Sequence, residues 1–522
     1  MRIDTMRNSG RHGRLDGVLA KRVGRGMSAV GAGVLVSLLA SGVVQAQVFS
    51  TLHAFSGADG SSPSAELSQG PDDNFYGTTQ LGGDYDFGTV FAMSASGQMT
   101  AIHALTGPEG ADVFAPLLLG RDEEFYGVTA LGGPALLDGT GVLFRFSLSG
   151  EYTPLHVFSG NDGAKPESGL AQGTDGRLYG TTTSGGEFGK GTVFGISREG
   201  ELQVLHAFAG GDGDMPLGEL LPSDDGWLYG TTVSGGAHNG GTLFRVSPAG
   251  EFGVLHDFGI DPADGSSPRG RLVRGADGSL YGTLEFGSPY GSGAIFCLTA
   301  DGNYQIVHSF WDHAGSAPLA GLILGRDGLL YGTNSSGGAF NAGTVFAVAP
   351  TGDLSVLHEF TGGLDGGSPV AGLLQAKDGR IYGTTPLGGP WMQGTAYRIT
   401  LAGPAKVIAT SGGHHGGLSG NIGLDLPSSA TGLDLTVTIR RVPGVQVVGT
   451  YAPDAVNEVC RTDALTIVCN FALQADAALA AGRYDFGVSM RSDRRPHEVW
   501  GGHFDLTYAS DGSIFEQTGR LN

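Results

Sequence analysis

The residues most able to do chemistry are spaced too regularly to converge. Seven of the 14 histidines recur at one interval: His53, His103, His156, His206, His256, His308 and His358. Imidazole can ligate metals, but a metal needs several ligands within about 2–3 Å of one point. If each repeat of about 50 residues is one blade of a ring, these copies sit one per blade and far apart round it. His206 also shares a strand face with Val204 and Phe208, so these read as buried histidines hydrogen-bonded to a neighbouring loop. Asp59, Asp162, Asp212, Asp264 and Asp365 lie in such loops. Their oxygens could ligate calcium, yet no loop has three spaced carboxylates, and Asp at these places caps a turn. No metal site is expected, and calcium is the one cofactor left open.

A second chemistry is acid–base work by paired carboxylates. One segment of every repeat carries Pro, a small residue, a variable residue and then Leu. The variable place holds Glu66, Pro116, Gly169, Glu219, Arg271, Gly321 and Gly372. If these segments line a common channel, Glu66, Glu219 and Arg271 are the catalytic candidates, with Glu167 and Arg269 two places earlier in their own repeats. The plainer reading is charged side chains solvated in a channel. No Ser–His–Asp spacing, HExxH or phosphate-binding glycine loop occurs.

The third set is aromatic. Two residues beyond a Gly-Gly pair (Gly-Ser in the fifth copy) stand Tyr85, Ala135, Phe188, His238, Tyr290, Phe340 and Trp391. Six of the seven are flat rings, and exposed rings on one face can stack on sugars or grip a partner surface. The alternative is that each ring folds back onto its own repeat.

The elements that must position these residues follow from the repeat. YGT, or YGV once, occurs at Tyr76, Tyr126, Tyr179, Tyr229, Tyr281, Tyr331 and Tyr382. In the third copy, four short apolar stretches (166–173, 178–182, 191–197 and 201–208) are bounded by Gly, Pro or Asp-Gly. That pattern predicts strands and hairpins. Four antiparallel strands repeated seven times predict a seven-bladed β-propeller over residues 47–402, a solenoid being the alternative. The chain enters with a fourth-type strand at 48–55 and leaves the repeats with a third-type strand at 394–400. Pairing of the two would close the ring, although 404–410 competes for the same place.

The LYGTT…GG…GTVF…LHxF pattern resembles the GloVer (Gloeo-Verruco) tandem repeat of secreted bacterial proteins. The resemblance covers about 350 residues, recurs seven times and implies an exported repeat protein. It brings no catalytic residues with it.

Residues 1–46 read as a signal peptide: a basic segment, an apolar run from Ala29 to Val44, and small residues at Val44 and Ala46 before a cleavage point. A membrane anchor is the alternative, but the run is shorter than the roughly 20 residues of a span. The formal charge of −21 disfavours nucleic acid and anionic membrane as partners. Residues 403–522 lose the repeat and show alternating segments such as 433–442 and 483–491, which predict a small β-sandwich. Part of this region resembles the Cys-containing end of Ig-like modules on bacterial surface proteins, and that resemblance implies a Cys460–Cys469 bridge. Cys297 reads as a buried thiol.

The expectation is an exported, monomeric, non-catalytic protein, secreted or periplasmic. It would bind an extracellular polysaccharide or a surface protein through the loop face of the propeller. A glycosidase or lyase acting at the channel, and a purely structural cell-surface component, are the alternatives.

Overall fold

A computed structural model describes residues 48–133, 139–287, 290–311 and 314–401 with their side chains, and the backbone of Gln47 and of the strands between Lys406 and Leu521. The leader 1–46 and Ala135 lie outside the described residues. The chain is all-β, with no helix among the described residues, and hence none long and apolar enough to cross a membrane.

Residues 47–401 form seven four-stranded antiparallel sheets, the blades of a β-propeller. Six are built from consecutive strands. The seventh takes Leu374–Gln375, Ile381–Thr385 and Thr395–Leu401 from the end of the repeats, and Gln47–Ala54 from their beginning. Gln47–Ala54 runs antiparallel to Thr395–Leu401 from Gln47↔Leu401 to Ala54↔Thr395. The competing segment forms a strand at Lys406–His414 that pairs with Gly417–Leu426 instead.

The YGT motif is explained by the fold. In all seven blades its Tyr hydroxyl donates to the Asp of the preceding turn, from Tyr76–Asp72 at 2.9 Å to Tyr382–Asp378 at 2.8 Å. The Gly makes room for a third-strand ring: a Cβ on Gly180 would stand 2.7 Å from Phe194 Cζ. The first Thr reaches the next blade, as Thr181 Oγ1 donates to Pro216 O at 2.9 Å and Thr384 Oγ1 to Ala65 O at 3.1 Å. The second Thr meets a third-strand Thr, as in Thr182–Thr192 and Thr385–Thr395.

The core lies between blades. Leu178, Phe194 and Ile196 of the third blade pack with Tyr126, Leu143 and Phe158 of the second. The last interface joins Phe75 and Phe91 to Phe55, Tyr382 and Ala396. Each such fully buried side chain contributes about 1.5–3 kcal/mol, so the ring is held by contacts that a single blade cannot make.

One copy breaks the rule. Where six blades have Phe at the centre of the third strand, the seventh has Tyr397, which is fully buried. Its hydroxyl has no hydrogen-bond partner among the described residues, and burial pushes its ionisation far above the usual tyrosine range. Tyr397→Phe is expected to stabilise the propeller by about 1 kcal/mol, because it removes a desolvated donor without changing the packing. A chemical denaturation midpoint equal to or below wild type would contradict this.

The innermost strand is shorter than its apolar stretch suggests. The third copy pairs only at Ala171↔Tyr179 and Gln172↔Leu178. The residues before it carry Pro166 and turn their backbone to neighbouring blades instead. Just before the inner segment, Ser62, Lys165, Met215, Ser267, Ala317 and Ser368 hold φ values between 52° and 58°. Left-handed backbone is costly for these residues. Each is fixed by donating its N–H to a carbonyl of the preceding blade, as Ser62 does to Gln393 O at 2.8 Å. These bonds set the angle at which six of the seven inner segments enter the channel.

Beyond residue 401 the strands form a four-stranded sheet and a five-stranded sheet. The Gly-rich run around His414 forms a hairpin, with His414 opposite Gly417. Cys460 stands opposite Cys469 in the pairing of Val456–Thr462 with Thr466–Leu473. The side chains of this region, including those of the expected bridge, lie outside the described residues.

Candidate functional site

The histidines are absorbed by the fold. Six of the seven pair through Nε2 with a carboxylate of the following loop: His53–Asp59, His103–Glu109, His156–Asp162, His206–Asp212, His256–Asp264 and His358–Asp365, at 2.8–3.2 Å. The same carboxylates cap the turn, as Asp59 accepts from the Ser56 N–H and hydroxyl. Several rings also stack on the next blade, for example His206 on Phe252 at 3.6 Å. Among the described residues no group of three or more His, Cys, Asp or Glu could hold a metal. Cys297 is buried with a free thiol, which burial pushes up.

The aromatic loops join the second and third strands of each blade. They lie on the same face as the loops that lead into the inner segments, because the two loop types bridge each other, as Ser61↔Leu81 and Asp214↔Ser234 do. Each loop is pinned tightly. Asp86 Oδ1 accepts from the Gly82 N–H, and Asn239 Oδ1 and Asn341 Oδ1 accept in the same way from Gly235 and Gly337 at the equivalent position of their own blades. The residue after the aromatic adopts positive φ, as at Asp86, Asn239, Asn341 and Met392. This turns the aromatic outward. Tyr85, Phe188, Tyr290, Phe340 and Trp391 are between 52% and 63% exposed, and His238 is exposed as well. None folds back to plug its blade.

Sequence reasoning missed further apolar side chains on this face. Trp311 is exposed, with its ring centroid 6.1 Å from that of Tyr290. Ile260 and Leu364 are the most exposed large hydrophobic residues, at 65% and 71%. Both lie in loops into the fifth and seventh blades that are longer than in the other copies. That extra length was the available signal, since insertions in repeat proteins collect on one, often binding, face.

The channel holds the other candidates. Arg271 Nη2 donates to Glu66 Oε1 at 3.0 Å, joining residues 205 positions apart. Glu219 stands close enough to be felt by both. Burial pushes the Glu66 carboxyl up from 4.5 to about 7; the Arg271 charge opposes the rise and Glu219 adds to it. Burial likewise raises Glu219, against Arg271. Arg271 is raised above its usual value, mainly by Glu66. The side chains of Glu66 and Arg271 are 13% and 32% exposed, and this residual surface faces the channel. They are therefore not ordinary solvated charges.

Glu66, Glu219 and Arg271 form the shared wall of two cavities. One, of about 400 Å³, opens among the leading ends of the inner segments, at Ser64, Phe114, Glu167, Leu217 and Arg269. The other, of about 470 Å³, lies toward the Asp-Gly turns, at Pro222, Leu324, Arg326 and Gln375. Arg269 is held at the first cavity by an ion pair with Glu285. Burial pushes Glu167 up in the same wall.

The fold and its seven copies define a tandem-repeat β-propeller. The Gloeobacter/Verrucomicrobia repeat matches residues 10–236, 137–324 and 241–425, so the chain belongs to that family. No curated protein matches it. Among solved structures it is similar to the subtype N11 neuraminidase-like protein of A/flat-faced bat/Peru/033/2010 (H18N11), at 9% identity and a TM-score of 0.32. That likeness covers 82% of this chain and 95% of the other. It is also similar to the chitin-binding domain of a hyperthermophilic chitinase from Pyrococcus furiosus, at 13% identity and a TM-score of 0.15, covering 21% of this chain and 90% of that domain. Likenesses this distant carry no argument about function.

Proposed function

We propose that the protein is an exported binding protein whose loop face takes an extracellular polysaccharide, with the C-terminal strands forming an accessory β-sandwich. The observation that carries this reading is the row of five half-exposed or more exposed rings at one loop position, in blades 1, 3, 5, 6 and 7. Rings held by a pinned backbone lose little entropy on binding and offer flat apolar faces to sugar C–H surfaces. A chain of net charge −21 would meet a neutral polymer without repulsion. Export rests on the leader pattern of residues 1–46.

The test is capture by insoluble and arrayed polysaccharides. The double variant Tyr290→Ala/Trp391→Ala is expected to weaken capture at least tenfold, as loss of central aromatic contacts does at binding surfaces, with an unchanged melting temperature. Capture of a surface protein in place of any glycan would make the partner a protein. Release of soluble sugar during the incubation would make the chain a glycosidase or lyase. Undiminished capture by the double variant would remove the aromatic face from the reading.

A further inference from the structure

The blades differ at the one inner position that faces the axis, and the differences fit together. Arg271 of the fifth blade lies over Gly321 of the sixth, where a Cβ would stand 2.5 Å from Arg271 Cγ. Glu66 of the first blade lies over Gly372 of the seventh, where a Cβ would collide with its Oε2. The two side chains cross the pair of glycine-bearing blades to meet. On the other side Glu219 of the fourth blade lies over Gly169 of the third, where a Cβ would stand 2.5 Å from Glu219 Oε2. Three long polar side chains and three glycine cut-outs make one constellation, and the blade fold does not require it: the Tyr–Asp hydrogen bond of the YGT motif forms in all seven blades, whatever residue stands at this position.

We propose that Glu66, Arg271 and Glu219 form a second binding site, separate from the loop face, for a single neutral sugar ring or similar vicinal polyol. The cavity of about 400 Å³ at this wall falls in the range of small-molecule sites, about 300–1,000 Å³. Arg271 gives one side-chain hydrogen bond, to Glu66 Oε1; its other N–H groups, Glu66 Oε2 and the Glu219 carboxylate make none with the described residues. The wall therefore offers donors beside acceptors to whatever enters the cavity. A hydroxyl both donates and accepts, and two adjacent hydroxyls can satisfy a carboxylate and the guanidinium together. The carboxylates repel an anion and the guanidinium repels a cation, which leaves a neutral ligand. Phe114, Leu217 and Leu319 on the same cavity suit the apolar face of a sugar ring. The ring would come from a free monosaccharide or from the end of a polysaccharide chain.

The test uses the full chain, with saturation-transfer NMR against neutral hexoses, pentoses, N-acetylhexosamines and their oligomers. At least one sugar is expected to bind, and Glu219→Gln to weaken it about tenfold or more. Gly169→Ala, which displaces the Glu219 carboxylate without removing it, is expected to do the same. Melting temperatures control for folding, and Arg271→Lys replaces either variant that fails to fold. Binding of monosaccharides alone identifies the free sugar as the source, and binding of oligomers alone identifies a chain end. If no sugar in the panel binds, or if binding is unchanged in the variants, the proposal is overturned. The loop-face reading is judged separately, because it predicts polymer capture that depends on Tyr290 and Trp391 and not on Glu219.

Discussion

Deletion of residues 47–54 is expected to lower the melting temperature by roughly 10 °C and to make the protein associate. These residues supply the outer strand of the last blade, paired along the length of Thr395–Leu401. Phe49 is stacked between blades, 3.7 Å from the His358 ring and 5.3 Å from that of Tyr397. Leu52 packs on the core that joins the first and last blades. Loss of the strand removes these contacts and opens the edge of Thr395–Leu401, and unpaired edges recruit other chains. A synthetic peptide of sequence QVFSTLHA added in trans is expected to restore part of the melting temperature. Phe49→Ala alone, at a half-buried position, is expected to cost about 2–3 kcal/mol. A deletion variant that stays monomeric with an unchanged melt would show that ring closure is not what holds the last blade.

The second large effect lies at the channel and depends on pH. The Glu66 carboxyl is raised from 4.5 to about 7, mainly by burial. Its folded-state value is above its unfolded one, so its contribution to stability is fully present below about 4.5 and is lost as pH rises through 7. Glu66→Gln keeps the shape and an acceptor for Arg271 but cannot ionise. The stability of Glu66→Gln relative to wild type is therefore expected to rise between pH 4.5 and pH 7 and to level off above. The bound set by the shift is about 3 kcal/mol, reduced by water in the adjoining cavities. Denaturation midpoints of both proteins at several pH values test this, since their difference cancels the other titrating groups. A difference that is flat from pH 4.5 to 8, or that falls, would mean that Glu66 titrates like a surface carboxylate.

Much of the fold was legible because it is written seven times. YGT, GTVF and the histidine with its loop Asp recur, and a residue that recurs in every copy serves something every copy needs. The Tyr–Asp hydrogen bonds, the Gly under Phe194 and the His–Asp pairs bear this out residue by residue. The outward direction of Tyr85, Phe188 and Trp391 was not legible. It depends on the positive φ of the next residue and on side-chain acceptors such as Asp86 and Asn239 that pin the loop. The shortness of the inner strand was hidden for a similar reason: an apolar stretch looks the same whether it pairs along a strand or lends its backbone to the next blade.

The seven blades, the strand that could close them, and the inner position at which the copies differ can all be read along the chain. What that position does emerges only in the closed ring. Glu66 and Arg271 are 205 residues apart, and nothing local links them. Closure of the ring leaves only two blades between theirs, and the glycines of those intervening blades let both side chains lie inward until they touch. Burial then moves the Glu66 carboxyl to about 7. A linear pattern shows which residues vary; contact and desolvation exist only once the chain has returned on itself.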